Sequence, residues 1–239
     1  MSTILNDIKT ALVKEDKLLA VLIDPDKFSI EHTTSFLEKI HKTIATHIFI
    51  GGSTVEANAT QTLVNHLKKH TSLPLVLFPG DVSQVSKNAN AILYLSLLSG
   101  RNANFLIEQH VKSVQQLEES NLEIIPTGYI LVESGKATTV QKVTQTTPLK
   151  NIDAITTTAK AGQYLGMQLI YLEAGSGAEY PISENIISQT KQRLSIPLIV
   201  GGGIRTKKAM TNAYNAGADL VVIGTAFENN LEFYKELLK

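Results

Sequence analysis

Two glycine-rich segments near the C-terminus have the composition of an anion-binding site. GGGIRT (201–206) and GTAFE (224–228) each close an apolar, β-branched run. Glycine has no Cβ, so its backbone N–H can approach an anion closely. A helix that starts after such a loop adds the positive end of its dipole at the same place. The alternative interpretation is that these glycines only permit tight turns. It is less favoured than phosphate binding because both loops carry the glycine pattern. The pair predicts a phosphate site.

A third loop combines one carboxylate with small residues. YLEAGSGA (171–178) ends another apolar run and places Glu173 before a Gly-Ser-Gly sequence. This arrangement would suit a polyol or phosphate, with Glu173 accepting a proton from a hydroxyl group. A Glu that simply pairs with a neighbouring Lys or Arg fits the same residues equally well.

A metal site is one of two interpretations of the first strand-like run. Asp24 ends it, within IDPDK (23–27), and Ser53 follows the second run. Mg²⁺ typically takes one or two carboxylates plus phosphate oxygens of the substrate. Asp and Pro are also frequent turn residues, so Asp24 could equally cap a turn. The six histidines show no metal-type spacing.

Several other functions are excluded by composition or by missing motifs. Lys and Arg together number 22, as do Asp and Glu, so the basic face of a nucleic-acid binder is not expected. Cysteine is absent, which excludes disulfides, thiol catalysis and Cys-ligated zinc. No P-loop, GxSxG elbow or dinucleotide fingerprint is present. The apolar runs are too short to span a bilayer and the N-terminus is typical of an amphipathic helix, so a cytoplasmic location is predicted.

Eight apolar runs alternate with helical patterns along the chain. Their nearly continuous apolar character indicates strands covered on both faces, as in a parallel sheet. Because the carboxyl ends of such strands carry the loops above, we expect a (β/α)₈ TIM barrel formed by residues 1–239 as one domain. The predicted strands are 18–24, 46–52, 73–80, 91–99, 122–132, 169–175, 196–203 and 218–225, and the predicted helices are 30–43, 55–70, 103–119, 151–165, 184–194, 206–216 and 228–238.

One gap in this pattern is too short. GDVSQVSKNAN, between the third and fourth strands, is about ten residues long, which cannot hold a crossover helix and its loops. We therefore expect the third helix to be missing or replaced by a short irregular segment. The polar stretch 137–153 is expected to be a mobile loop that leads into a helix.

The ordered motifs resemble the geranylgeranylglyceryl phosphate synthase family, including its heptaprenylglyceryl phosphate synthases. The resemblance covers nearly the whole chain, and its motifs are LIDPDK, FIGGST, LPLVLFPG, LSGRN, PTGYILVESG, YLEAGSGA, GGGIRT and ADLVVIGTAFE. It implies a Mg²⁺-dependent prenyltransferase that joins the C3 hydroxyl of sn-glycerol 1-phosphate to a polyprenyl diphosphate, with geranylgeranyl diphosphate the expected donor. The ether product leaves with release of diphosphate. The family barrel also lacks its third helix, and a homo-oligomer is expected.

The resemblance assigns roles to individual positions. Asp24 and Ser53 would hold Mg²⁺, and Asp24 and Glu173 would be catalytic. Beyond the resemblance, we infer that Lys27 and Arg101 are further candidates for contacts with the diphosphate. Phe78, Tyr94, Leu97 and Tyr129 are candidates for the wall of a prenyl groove beside the third strand, and each could equally be an ordinary core residue. The glycerol phosphate positions are Tyr171, Leu172, Glu173, Ala174, Gly175, Ser176, Gly177, Gly202, Gly203, Gly224 and Thr225.

Two other functions fit the same glycine loops. One is an isomerase, aldolase or synthase of a small phosphorylated metabolite, and the other is a non-catalytic barrel that binds a phosphorylated ligand or a lipid. An isomerase needs a second acid or base opposite Glu173, which the sequence does not identify. A carrier would not need Asp24, Ser53 and Glu173 together.

Overall fold

Eight parallel strands close into a barrel in which each strand pairs with its neighbours in the sequence and β8 pairs with β1. The computed structural model describes residues 3–224, 226–227 and 231–238. Apolar residues predominate in the eight strands, and most strand positions are buried. The predicted TIM barrel is therefore confirmed. The strands are β1 (Leu18–Ile23), β2 (His47–Ile50), β3 (Leu75–Leu77), β4 (Ala91–Leu97), β5 (Glu123–Leu131), β6 (Leu169–Glu173), β7 (Leu198–Gly201) and β8 (Leu220–Ile223).

Helices surround the barrel, and several begin at a polar side chain that caps them. The hydroxyl of Thr206, for example, accepts a hydrogen bond from the backbone N–H of Ala209 at 3.1 Å, which satisfies a donor that the first helical turn leaves open. Among the described residues, no helix is long and apolar enough to cross a membrane. The α-helices are α1 (Ile4–Lys14), α2 (Thr33–His41), α3 (Ala59–Leu67), α4 (Gln109–Glu118), α5 (Thr139–Thr144), α6 (Ile152–Tyr164), α7 (Glu184–Arg193) and α8 (Lys207–Asn215).

The connection from β3 to β4 contains a single 3₁₀ turn, Val82–Gln84, and no α-helix. This confirms the prediction that the helix after the third strand is missing. The chain that replaces it begins at Asp81, whose carboxylate accepts the backbone N–H of Ser83 at 2.7 Å.

Two segments differ from the sequence-based expectation. Residues 137–153, predicted as a loop before a helix, contain the short helix α5, because the Thr138 hydroxyl caps its first turn. The last predicted helix, 228–238, is a 3₁₀ helix over Leu231–Leu237, and its first three positions lie outside the described residues.

The end of the barrel remote from the carboxyl ends of the strands is closed by α1. The carboxylate of Glu123, in β5, accepts the backbone N–H groups of Ile4 and Leu5 at 2.5 and 3.0 Å, so it caps this helix. Ile8 of the same helix is 1 % exposed and packs with the side chains inside the barrel. The helix therefore acts as a plug for the interior.

Ile8→Ala is expected to destabilise the fold by about 2–5 kcal/mol, because it removes buried methyl groups and leaves a cavity at the end of the barrel. Val13→Ala is the control, since Val13 lies on the same helix and is 83 % exposed. Urea unfolding measures both changes. Equal losses in the two variants would show that α1 does not plug the barrel.

Candidate functional site

A polar cavity lies at the carboxyl ends of the strands, where the loops after β1, β2, β6, β7 and β8 meet. It collects most of the glycines, carboxylates and hydroxyl groups that the sequence motifs predict for a site. The predicted positions that line it are Asp24, Lys27, Ser53, Tyr171, Glu173, Gly175, Ser176, Gly177, Gly202, Gly203 and Gly224.

The carboxyl group of Glu173 is the buried acidic group of this cavity. Glu173 is the last residue of β6 and is 5 % exposed. Burial raises its pKa to about 7, while the backbone N–H of Gly175 and the Tyr171 hydroxyl oppose that rise. The N–H of Gly175 donates to Oε1 at 2.6 Å. A carboxyl group with a pKa near neutrality is suited to accept and return a proton.

Three aromatic rings form a floor below Glu173. The centroids of Phe78, Tyr129 and Tyr171 lie between 5.2 and 5.9 Å from one another. Burial, and secondarily the nearby Glu173, raise the pKa of both phenols well above its ordinary value, so they stay protonated. The geometry between Tyr171 and Glu173 falls short of a hydrogen bond, so the buried Tyr171 hydroxyl has no partner within the described part of the chain. This hydroxyl can donate to a ligand in the cavity.

The loop after β7 packs against the loop after β6. Gly202 and Gly203 have φ angles of +83° and +70°, which favour glycine. A Cβ on Gly203 would lie 2.6 Å from the carbonyl oxygen of Tyr180, so there is no room for a side chain. Arg205 donates to the carbonyl oxygens of Ala178 and Glu179, which ties the two loops together. Gly224 completes this side, and Thr225 lies outside the described residues.

Asp24 and Ser53 stand on the opposite side of the cavity. The carboxylate of Asp24 accepts the backbone N–H of Asp26 at 3.2 Å and pairs with the Lys27 ammonium at 2.8 Å. Oxygen donors of this kind fit Mg²⁺. In the part of the chain that the structure describes, no three His, Cys, Asp or Glu side chains cluster as a metal site. A Mg²⁺ ion held by Asp24 and Ser53 would therefore depend on ligand oxygens to complete its shell.

An apolar groove adjoins the polar cavity on the side where the helix after β3 is missing. It runs between the 3₁₀ turn, β4, α4 and α5. The two spaces share five wall residues, which are Gly52, Ser53, Phe78, Tyr129 and Val140. Burial lowers the pKa of His110, which lines this groove. The residues that line the groove include Val82, Val85, Leu93, Tyr94, Leu95, Leu97, Phe105, His110, Ser113 and Val143.

The sequence matches one protein family over nearly its whole length. A model of the PcrB family matches residues 11–239. The chain belongs to the PcrB family. It is 52 % identical over 236 residues to a geranylgeranylglyceryl phosphate synthase of Flavobacterium johnsoniae, covering 98 % of this chain and 97 % of that protein. It is 38 % identical over 218 residues to a synthase of the same name from Pyrococcus furiosus, covering 91 % and 87 % of the two chains. The family resemblance seen in the motifs is thus confirmed.

Solved structures agree with this assignment. The (S)-3-O-geranylgeranylglyceryl phosphate synthase of Thermoplasma acidophilum, in complex with its substrate sn-glycerol-1-phosphate, superposes with a TM-score of 0.92 at 33 % identity and covers 99 % of this PcrB-family chain and 96 % of its own. A tryptophan synthase α-subunit from Pyrococcus furiosus has a TM-score of 0.60 at 14 % identity, covering 92 % and 97 % of the two chains, which reflects the shared barrel fold alone.

Not every predicted position of this PcrB-family chain faces the cavity. Leu172 and Ala174 alternate with Tyr171 and Glu173 along β6, so their side chains lie in the outer core between the strands and helices. Arg101 lines neither space. Its guanidinium donates to the carbonyl oxygens of Leu98 and Gly100, at 3.1 and 2.6 Å.

The four aromatic and leucine positions predicted for the groove, Phe78, Tyr94, Leu97 and Tyr129, all line it. Sequence reasoning missed Val140 and Val143, because they lie on α5, in the stretch expected to be a loop. It also missed the loop-tying role of Arg205, although this residue stands inside the GGGIRT motif.

Glu173→Gln is expected to stabilise the fold at pH 8. The folded protein holds the Glu173 proton more tightly than the unfolded chain, since its pKa is about 7 rather than 4.5. Stability of the native chain therefore falls as pH rises from about 4.5 to 7, by roughly 3 kcal/mol at most. Glutamine removes that penalty and keeps an acceptor for the Gly175 N–H. Urea unfolding at pH 5 and pH 8 should show a gain for the variant that is larger at pH 8. A gain independent of pH would show that burial does not raise the pKa of Glu173.

Proposed function

We propose that this chain is a prenyltransferase that alkylates the C3 hydroxyl of sn-glycerol 1-phosphate with a polyprenyl diphosphate, most suitably geranylgeranyl diphosphate. The observation that carries the proposal is the direct junction between a polar, phosphate-type cavity and an apolar groove. A small phosphorylated metabolite would need the cavity alone. Two joined spaces of opposite polarity fit one polar acceptor and one donor with a hydrocarbon tail.

The acceptor would occupy the cavity with its phosphate against the glycine loops. Gly175, Gly177, Gly202 and Gly203 line that side, and the relative from Thermoplasma acidophilum binds sn-glycerol-1-phosphate. Holding the phosphate there would direct the glycerol hydroxyl towards Glu173, so that the reacting atoms meet in one geometry.

The donor would place its tail in the groove and its diphosphate at the shared wall. Ser53 lies at this junction, and Asp24 and Lys27 face the cavity beside it. Mg²⁺, when held by Asp24 and Ser53, would neutralise charge on the departing diphosphate. The side chain of Lys27 adds a positive charge at the same place.

The bond changes follow from these positions. The C3 oxygen of the acceptor forms a bond to the allylic carbon of the donor, and the bond from that carbon to diphosphate breaks. The hydroxyl proton passes to the carboxylate of Glu173, whose pKa of about 7 keeps it able to accept one. The protonated phenols of Tyr129 and Tyr171 remain donors that would orient the acceptor.

A homo-oligomer and a cytoplasmic location belong to the same proposal. A row of three exposed apolar side chains at helical spacing supports the homo-oligomer. Ile107, just before α4, is 56 % exposed, and Val111 and Val114, both on α4, are 66 % and 44 % exposed. A second copy of the chain would cover such a face.

The deciding assay combines labelled sn-glycerol 1-phosphate, Mg²⁺ and a panel of geranyl, farnesyl, geranylgeranyl and heptaprenyl diphosphates. We expect label to enter a product that partitions into organic solvent, and we expect Glu173→Gln to abolish this transfer. Absence of transfer from every donor, with glycerol phosphate still bound, would refute the proposed reaction.

Asp24→Ala separates catalysis from simple carriage of a ligand in the same assay. The variant should lose Mg²⁺-dependent turnover and retain binding of glycerol phosphate, measured by calorimetry. If turnover survived, Asp24 would not belong to the donor site.

Val85→Phe is expected to shift the donor preference towards shorter tails, because Val85 lines the groove and a larger ring would fill part of it. The measurement is kcat/KM across the same donor panel, and about a tenfold loss for the longest donor relative to the shortest is expected, since tenfold corresponds to 1.4 kcal/mol. Val143→Ala offers the opposite change in volume on the facing helix. An equal loss for all donors would place Val85 outside the tail path.

A further inference from the structure

Gln84 is a buried side chain of the 3₁₀ turn that replaces the missing helix. It is 1 % exposed and lines neither the cavity nor the groove. Its carboxamide nonetheless makes two hydrogen bonds to one residue of the shared wall. Nε2 donates to the carbonyl oxygen of Gly52 at 2.9 Å, and Oε1 accepts the N–H of Gly52 at 3.3 Å.

The backbone of Gly52 stands between Gln84 and the carboxylate of Asp24. A Cβ on Gly52 would lie 3.1 Å from Asp24 Oδ1, so carboxylate and backbone are in close contact. On the other side, a Cβ on Gly80 would lie 2.5 Å from the Gly52 carbonyl oxygen and 2.7 Å from that of Ser53. Gly52 thus has three close neighbours, and Gln84 is the one of the three that hydrogen-bonds its backbone.

The chemistry of this contact requires an amide. Gly52 offers one donor and one acceptor, and only a side chain with both complementary groups in one plane satisfies them together. A carboxylate at position 84 would accept the N–H but repel the carbonyl oxygen. A thioether would fill the space and satisfy neither group, leaving the N–H and the carbonyl oxygen of Gly52 without these hydrogen bonds.

The same turn also forms part of the groove. Val82 and Val85 line the groove on either side of Gln84. The N–H of Val82 donates to Oε1 of Gln109, on α4, at 3.2 Å, which fixes the turn from outside. A tail in the groove would therefore contact the turn whose glutamine holds the wall of the polar cavity.

We propose that Gln84 is a positioning residue for the donor diphosphate, and that it acts by holding the backbone of Gly52 and Ser53 at the junction of the two spaces. This inference rests on the proposed function. It adds a residue that does not contact the substrate. Its removal should weaken donor binding and leave acceptor binding intact, because the glycine loops of the acceptor side follow β6 and β7.

The experiment compares Gln84→Met with Gln163→Met. Gln163 is the control, since its carboxamide also makes two hydrogen bonds to one residue, Ser195, at the other end of the barrel. It accepts the Ser195 N–H at 3.0 Å and donates to Oγ at 2.7 Å, both in a more exposed position. Each variant is titrated with inorganic diphosphate in the presence of Mg²⁺ and with sn-glycerol 1-phosphate. KM for both substrates is then measured, and thermal unfolding reports stability.

For Gln84→Met we expect the Kd for inorganic diphosphate and the KM for the prenyl donor to rise about tenfold, which corresponds to 1.4 kcal/mol. The Kd and KM for glycerol phosphate should change less than about twofold, a difference of a few tenths of a kcal/mol. Gln163→Met should lower the unfolding temperature and leave the Kd and KM values for both ligands unchanged. If Gln84→Met changed only the unfolding temperature, or weakened both ligands equally, the positioning role would be wrong.

Gln84→Asn decides the matter should the methionine variant fail to fold. It keeps an uncharged amide but is one methylene shorter, so it cannot make both hydrogen bonds to Gly52; weaker binding of diphosphate alone supports the role, and unchanged binding overturns it. Wild-type protein that binds diphosphate without transferring a prenyl group would refute the proposed reaction, while the titrations would still test Gln84. Wild-type protein that binds no diphosphate would refute both.

Discussion

Between β3 and β4 the chain has room for one 3₁₀ turn and no crossover helix, so this flank of the barrel lacks its usual cover. The apolar side chains exposed there would be unfavourable towards water unless something occupied the space. The groove is the result, with β4 as its floor and α4 and α5 as its sides. Its wall reaches the mouth of the barrel at Ser53 and Tyr129, so one short connection both opens the groove and joins it to the polar cavity.

Two groups at the mouth of the barrel lower the stability of the fold. A carboxyl group at the end of β6 is buried, and a phenol beneath it lacks a hydrogen-bond partner among the described residues. Both features cost free energy, and both would suit a site that takes a proton and orients a hydroxyl group, as proposed for this chain. Arg205 and close backbone packing fix the two glycine loops beside these groups.

The fold and much of the site follow from local sequence, for identifiable reasons. Continuous apolar runs mark strands buried on both faces, and the short stretch before Ala91 excludes a helix by length alone. The direction in which a side chain points is harder to predict from sequence. Leu172 and Ala174 belong to the YLEAGSGA motif, but their side chains point away from the cavity. Arg101 turns back to its own loop, and Gln84 sits in a polar stretch without any pattern. Such contacts depend on loops that are distant in sequence, which no local signal encodes.

Helix α1 closes one end of the barrel and the groove lies on its flank, so different parts of the molecule have different functions. Helix α1 and Glu123 close one end of the barrel, while the groups proposed to react stand at the opposite mouth. The far end of a lipid tail would lie along β4 and α4, away from Glu173. Divergence among related enzymes could therefore alter lipid length by exchanging residues on that flank, while the carboxylate proposed to accept the proton and the glycine loops are inherited unchanged. The residues that carry out the reaction and the residues that adapt the product to a particular membrane would then lie on different parts of one barrel.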